Sequence, residues 1–296
     1  MRILTSLVSV LSTMLLCMAE PPRVAILGDS ITYGGRWATL VESALRGTPA
    51  FSDAVIVNFG LSSETVSGLS EKGHAGGEFP RPCLHERLPR ILAAYRPTHV
   101  LACYGMNDGI YQPLDAHRQK AFQDGMMRLK NAVEKQGGKF VAITAPLYDA
   151  DHPSQDPQRY DAVLDAQAAW LLSQEGWQVI DIRPDLRSAI KEAKQKNPGF
   201  VFAADKIHPG PEGHDFIAAS IVKSLWPLWK LSGVPAMAHG EALSILTQRS
   251  ALLKHAWLTE TKHLRPGVPD GLPLPDAEAQ AKQMWDAYRK ARDVQP

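Results

Sequence analysis

The sequence predicts a three-layer α/β/α sandwich built on a parallel sheet. Three observations carry this. Short apolar runs alternate with longer stretches of helical period, the runs show no polar face, and each is rich in Val, Ile or Leu. Strands without a polar face are covered on both sides, which is the mark of a parallel sheet between helical layers.

The strand-like runs fall at residues 23–27, 54–58, 99–103, 139–144 and 178–182. Each is too short for a helix of ordinary length. Between them the 3.6-residue period predicts helices over 37–46, 84–95, 116–136, 160–174 and 184–196, and a further one over 213–225. These elements define one domain over residues 22–229. The tail reads differently: residues 242–262 have helical character without a strand partner. A Pro- and Gly-rich stretch at 265–276 predicts an extended connector, and a charged, Ala-rich helix follows near 277–292. Residues 230–296 are therefore a helical extension, either packed on the domain or reaching to a neighbour.

The N-terminus is set apart. Arg2 precedes an apolar run to Met18, with small residues Cys17 and Ala19 at alternate positions and no acid before Glu20. This is a signal-peptide pattern over residues 1–19, predicting cleavage after Ala19 and an exported, periplasmic or secreted, protein. The run is at or below the length that spans a bilayer, so no stable membrane insertion is expected after cleavage. Cys83 and Cys103 then remain, able to pair or to serve as small buried apolar residues. A net charge of +1 gives no electrostatic footprint for nucleic acid.

Four segments carry chemistry. Gly28-Asp29-Ser30 ends the first strand, where ligands of parallel α/β sheets bind; the same residues also suit a helix cap or an Asp-Ser turn. Asp205-Lys206-Ile207-His208 offers a base and a carboxylate to fix its tautomer, which a hydroxyl needs to act as a nucleophile. As a bare pattern it equally describes a surface turn. Asn58-Phe59-Gly60 and Gly105-Met106-Asn107-Asp108 follow the second and third strands, placing the Gly60 N–H and the Asn107 amide as candidate oxyanion donors. Each is also an ordinary strand-to-helix turn; their joint order gives the pattern its weight.

Taken together, Gly28-Asp29-Ser30, Gly60, Gly105-x-Asn107-Asp108 and Asp205-x-x-His208-Pro209 resemble the four blocks of the SGNH hydrolases, the superfamily of GDSL-type lipases and esterases. Ile31 stands where the family name has leucine. The resemblance covers the domain but not the chain beyond residue 230. It implies a flavodoxin-like sandwich and hydrolysis of carboxylic esters through an acyl-enzyme, with no cofactor and no metal. Ser30 is then the nucleophile, His208 the base and Asp205 its orienter. The Ser30 and Gly60 amides and the Asn107 side chain form the oxyanion hole. Export and resemblance together point to a small-molecule or polysaccharide ester, acetyl or short acyl groups first. Alternatives are a lipase, phospholipase or thioesterase, or a non-catalytic carbohydrate-binding protein on the same fold. Neither G-x-S-x-G nor G-x-G-x-x-G occurs, which removes the nucleophile elbow and the dinucleotide fingerprint. In the Gly/Pro-rich stretch 73–82, His74 and Arg81 suit recognition of a polar group or a solvated loop. Tyr148 and Asp149, beyond the fourth strand, are open in the same way.

Overall fold

A computed structural model of the chain describes residues 20–152, 159–233 and 236–293. The 1–19 segment read as a signal peptide lies outside the described residues. Five parallel strands, β1 (Arg23–Gly28), β2 (Val55–Asn58), β3 (His99–Cys103), β4 (Lys139–Ile143) and β5 (Gln178–Ile180), form one sheet in the order β2-β1-β3-β4-β5. Every predicted run forms its strand. The fifth stops two residues early because Thr144 Oγ1 takes the Ile182 N–H (3.1 Å), while the Asp181 carboxylate accepts from Arg183 N (3.1 Å) at the start of the next helix.

The helices are α1 (Ser30–Gly34), α2 (Arg36–Arg46), α3 (Leu84–Tyr95), α4 (Ala116–Lys135), α5 (Tyr160–Leu172), α6 (Arg183–Lys196), α7 (Pro211–Leu228), α8 (Gly240–Thr261) and α9 (Leu274–Asp293). Strand alternation divides the core into two layers. Val24 and Ile26 of β1 pack with Trp37 and Val41 of α2 and Ile217 and Ile221 of α7. Ala25 and Leu27 pack with Ile91 of α3, Phe122 and Leu129 of α4, and Leu253 and Trp257 of α8.

The tail is thus packed on the domain and shares its core. Trp257 stands edge-on to Phe59 and Tyr95, with ring centroids 5.8 and 5.1 Å away. Buried Glu42 of α2 accepts from Arg46 (2.8 Å) and from Arg249 of α8 (3.0 Å), and both guanidinium groups lie over Trp285 of α9. The connector is shorter than the composition suggests, because Pro275 is accommodated in the first turn of α9, where a missing N–H costs nothing.

The chain leaves β1 for β2 on one side and later crosses to β3 on the other. That reversal makes the carboxyl ends of β1 and β3 the switch point, the place where ligands of such sheets bind.

Candidate active site

Ser30 opens α1 directly after β1. Asp29, the N-cap, accepts the Ile31 N–H at 2.9 Å, so Ser30 is the first residue inside the helix. Its own N–H belongs to the first turn, where no intrahelical acceptor exists. Two glycines permit this placement. A Cβ at Gly28 would lie 2.7 Å from Cys103 O and against the Thr32 hydroxyl, and a Cβ at Gly60 would lie 2.7 Å from the Thr32 carbonyl carbon and against Tyr33 N. The helix therefore rests on the backbone of the turn after β2.

His208 arrives from the loop before α7. Its Nε2 is 2.8 Å from Ser30 Oγ and its Nδ1 is 2.6 Å from Asp205 Oδ2. Asp205 Oδ1 also accepts the Ile207 and His208 N–H groups, at 3.0 and 2.7 Å. Partial burial pushes the Asp205 carboxyl up, but the hydrogen bonds from His208 and Ile207 outweigh it and hold the group below its usual range. The side chains of His208 and Asp205 remain 46% and 55% exposed. Such an imidazole can take a proton from the hydroxyl while the carboxylate fixes its tautomer.

The Asp-x-x-His loop is tied from below by Asp151, which has no individual signal in the sequence, and by Asp149. Asp151 accepts from Phe202 N (3.0 Å) and Ala203 N (2.9 Å), and Lys194 stands 3.1 Å from it. Buried Asp149 donates its N–H to Lys206 O (2.9 Å) and pairs with Lys206 Nζ at 3.0 Å. Lys206 itself has φ +75°, a left-handed conformation that a lysine holds only under outside constraint. Asp149 is thus an anchor of this loop, and Tyr148 N donates to Asp161 Oδ1 at 3.0 Å.

On the opposite wall Asn107 is buried and its amide orientation is determined. Its Oδ1 accepts from Arg81 Nη1 (2.9 Å) and Tyr111 OH (3.0 Å), and its Nδ2 donates one hydrogen to Glu64 O (3.2 Å). One N–H is left over, as an oxyanion donor requires. Arg81 is itself held by a two-pronged ion pair with Glu71, at 2.7 and 2.6 Å. It is buried and committed, so it serves Asn107 and is not a free recognition group. His74 leans edge-on against Phe79 in the same loop.

Below Asn107, buried Glu64 takes a bidentate bond from Arg87 (2.6 and 2.8 Å) and one from Tyr104 OH (2.6 Å). Arg87 also donates to Phe59 O, which ties the turn bearing Gly60 to the same network.

The Gly60 N–H is donated to Asn58 Oδ1 at 2.8 Å, so in this arrangement the turn itself uses it. The structure also gives Gly60 a steric reason, the close approach of α1. Two buried carboxyls complete the floor. Burial pushes Asp29 up to about 7, with nearby Asp108 adding to the rise. Burial also pushes Asp108 up to about 6, against the lowering effect of the Ser67 and Val66 N–H groups it accepts. Cys83 and Cys103 are both free thiols.

A parallel α/β sandwich with a serine, a histidine and an aspartate in hydrogen-bonded series at its switch point defines the serine hydrolase class. The model of the GDSL-like lipase/acylhydrolase family matches residues 26–216, and the chain belongs to that family. It is a serine ester hydrolase of the SGNH type. No curated protein matches the chain by sequence.

Solved structures share the fold. A gut microbial diltiazem-metabolizing enzyme is 20% identical with a TM-score of 0.52, over 69% of this chain and 47% of that one. The chain thus spans about half the length of that enzyme. Axe2, an acetylxylan esterase from Geobacillus stearothermophilus, is 19% identical with a TM-score of 0.50, over 69% of this chain and 94% of that one. A variant of it, titled an acetyl-xylooligosaccharide esterase, is 18% identical with a TM-score of 0.51, over 74% and 97% of the two chains.

Proposed function

We propose that this hydrolase is an exported carbohydrate esterase that removes acetyl or other short acyl groups through an acyl-enzyme on Ser30. The observation that carries the reading is His208, bonded to Ser30 Oγ through Nε2 and to Asp205 through Nδ1. His208 takes the Ser30 proton as Oγ attacks the ester carbonyl, and the resulting oxyanion is held by the Ser30 N–H and the free Asn107 N–H. His208 then returns the proton to the leaving alcohol. Water repeats the sequence on the acyl-enzyme, releasing the carboxylic acid and restoring the serine. The Gly60 N–H joins the oxyanion hole only if it exchanges its bond to Asn58.

Substrate class is read from three supports. The base and its carboxylate are about half exposed, so a polymer chain can lie across them. One similar enzyme, Axe2, is an acetylxylan and acetyl-xylooligosaccharide esterase. The signal-peptide pattern of residues 1–19 supports export, where such polymers are met. A second reading, a lipase or thioesterase taking longer acyl chains, is favoured by one feature. A cavity of about 560 Å³ lies beyond Tyr148, with Leu147, Ala150 and Ile190 on one part of its lining and Asp161, Arg187, Lys191, Lys194 and Gln195 on the rest; the Tyr148 ring is 5.9 Å from that of Tyr111, the Asn107 partner.

The deciding experiment compares p-nitrophenyl acetate, butyrate and octanoate, and acetate release from acetylated xylan, for the mature protein beside Ser30→Ala. Turnover steepest for acetate and abolished in the variant is the expected result. Preference for octanoate moves the lipase reading forward, and undiminished turnover in Ser30→Ala sinks the nucleophile assignment. N-terminal sequencing of protein recovered outside the cytoplasm, beginning at Glu20, tests export.

A further inference from the structure

The helix that carries Ser30 has five residues. A helix of one turn and a half has no stability of its own, so its placement is set by what touches it. Its first end is held by the Asp29 cap and its underside by the Gly60 turn. The other end is held by a residue outside the part of the chain that matches the family, which ends at residue 216.

Lys254 of α8 donates to Tyr33 O at 2.7 Å, and its ammonium lies 3.8 Å from the centre of the Tyr33 ring. The neighbouring His255 meets the Tyr33 hydroxyl at 3.2 Å. Lys254 is only 7% exposed, and burial pushes its ammonium down to about 8. Burying a cation is unfavourable unless it gains partners, and here the partners are the Tyr33 carbonyl and ring in the last turn of α1, where a positive charge also complements the helix dipole. The rest of α8 is fixed by Trp257 and Leu253 in the core, so the lysine presses on α1 from a rigid support.

We propose that Lys254 is a positioning residue for ester hydrolysis. From the C-terminal extension it fixes α1, and through it holds Ser30 Oγ in line with His208 Nε2. The proposal rests on the reading of Ser30 as the nucleophile. Misplacing a reacting atom by about 1 Å typically costs on the order of 10²-fold in rate without a matching loss of binding. Lys254 does not touch the substrate, so its removal lowers kcat and leaves KM nearly as it was.

The test compares wild type, Lys254→Met, Lys254→Arg and Ser30→Ala, with competent sites counted by titration with a fluorophosphonate. Lys254→Met is expected to lower kcat per titrated site, and the rate of fluorophosphonate labelling, by about 10- to 100-fold. KM for p-nitrophenyl acetate stays within about twofold, and Lys254→Arg, which keeps a cationic donor, recovers most of the rate. A folded Lys254→Met whose kcat per titrated site matches wild type overturns the proposal, whatever happens to its melting temperature. So does equal impairment of the Met and Arg variants. If Lys254→Met does not fold, Lys254→Gln, a neutral donor of shorter reach, is judged by the same kcat and KM criteria. Loss of turnover in Ser30→Ala beside a fully active Lys254→Met sinks this proposal alone, whereas turnover retained in Ser30→Ala removes its premise.

Discussion

The two walls of the site are built in opposite ways. Asn107 sits in a buried, charge-rich lattice that runs through Arg81 and Glu71 on one side and Glu64, Arg87 and Tyr104 on the other. His208 and Asp205 stand about half exposed on a loop tied down by the carboxylates of Asp149 and Asp151. A donor for a developing oxyanion works through preorganisation, and a dry, fully bonded setting supplies it. A base must accept and release a proton in every cycle and meet incoming water, and an open loop suits that. The contrast predicts that damage to the donor wall appears in both rate and stability, whereas damage to the base wall appears in rate alone.

The largest effect tests the base wall. His208→Ala and Ser30→Ala are each expected to cost about 10⁴-fold or more in kcat while the melting temperature barely moves. A large fall in melting temperature with His208→Ala would erase the proposed difference. Next, Asn107→Ala should cost about 10²–10³-fold in kcat and also destabilise, because it strands the Arg81 and Tyr111 donors. A stability unchanged by that substitution would break the comparison from the other side. Asp151→Ala, which frees the Phe202 and Ala203 N–H groups, should slow turnover by roughly 10-fold through a loosened loop.

The smallest effect concerns the floor shared by both walls. Burial raises Asp29 from 3.8 to about 7. In that interval the folded protein keeps a proton that the unfolded chain has released, so stability falls as pH rises through it. Asp29→Asn keeps a competent helix cap and removes the charge. It should flatten this part of the stability–pH curve and raise stability more at pH 8 than at pH 5, as read by denaturant unfolding at both. Asp108 contributes in the same direction and remains in the variant.

Much of this was legible in the residue order. Strands buried on both faces have to be apolar along their length, so all five stood out, and the residues at their carboxyl ends followed. What escaped was set by contacts distant in sequence. Arg81 and Tyr111 meet on Asn107 only once two loops fold over it, and neither belongs to a periodic pattern. Asp149 was visible only as a residue of open role beyond the fourth strand, and Asp151 looks like an ordinary loop acid until the segment bearing His208 lies on it. Gly60 was visible as a candidate donor, but the steric need for a glycine there depends on α1 resting against its backbone, which no local pattern records. Ser30 sits inside a helix too short to leave a period, and Lys254 is one lysine on a long helix until its depth is known.

The separation in sequence of the groups around Ser30 also bears on the making of the protein. The histidine that bonds Ser30 lies 178 residues further along the chain, and the lysine that grips Tyr33 lies 221 residues beyond it. At roughly 5–20 residues per second, a nascent chain carries its serine for about 10–40 s before either arrives. During that interval Ser30 lacks its histidine partner, and its helix lacks the lysine that holds its far end.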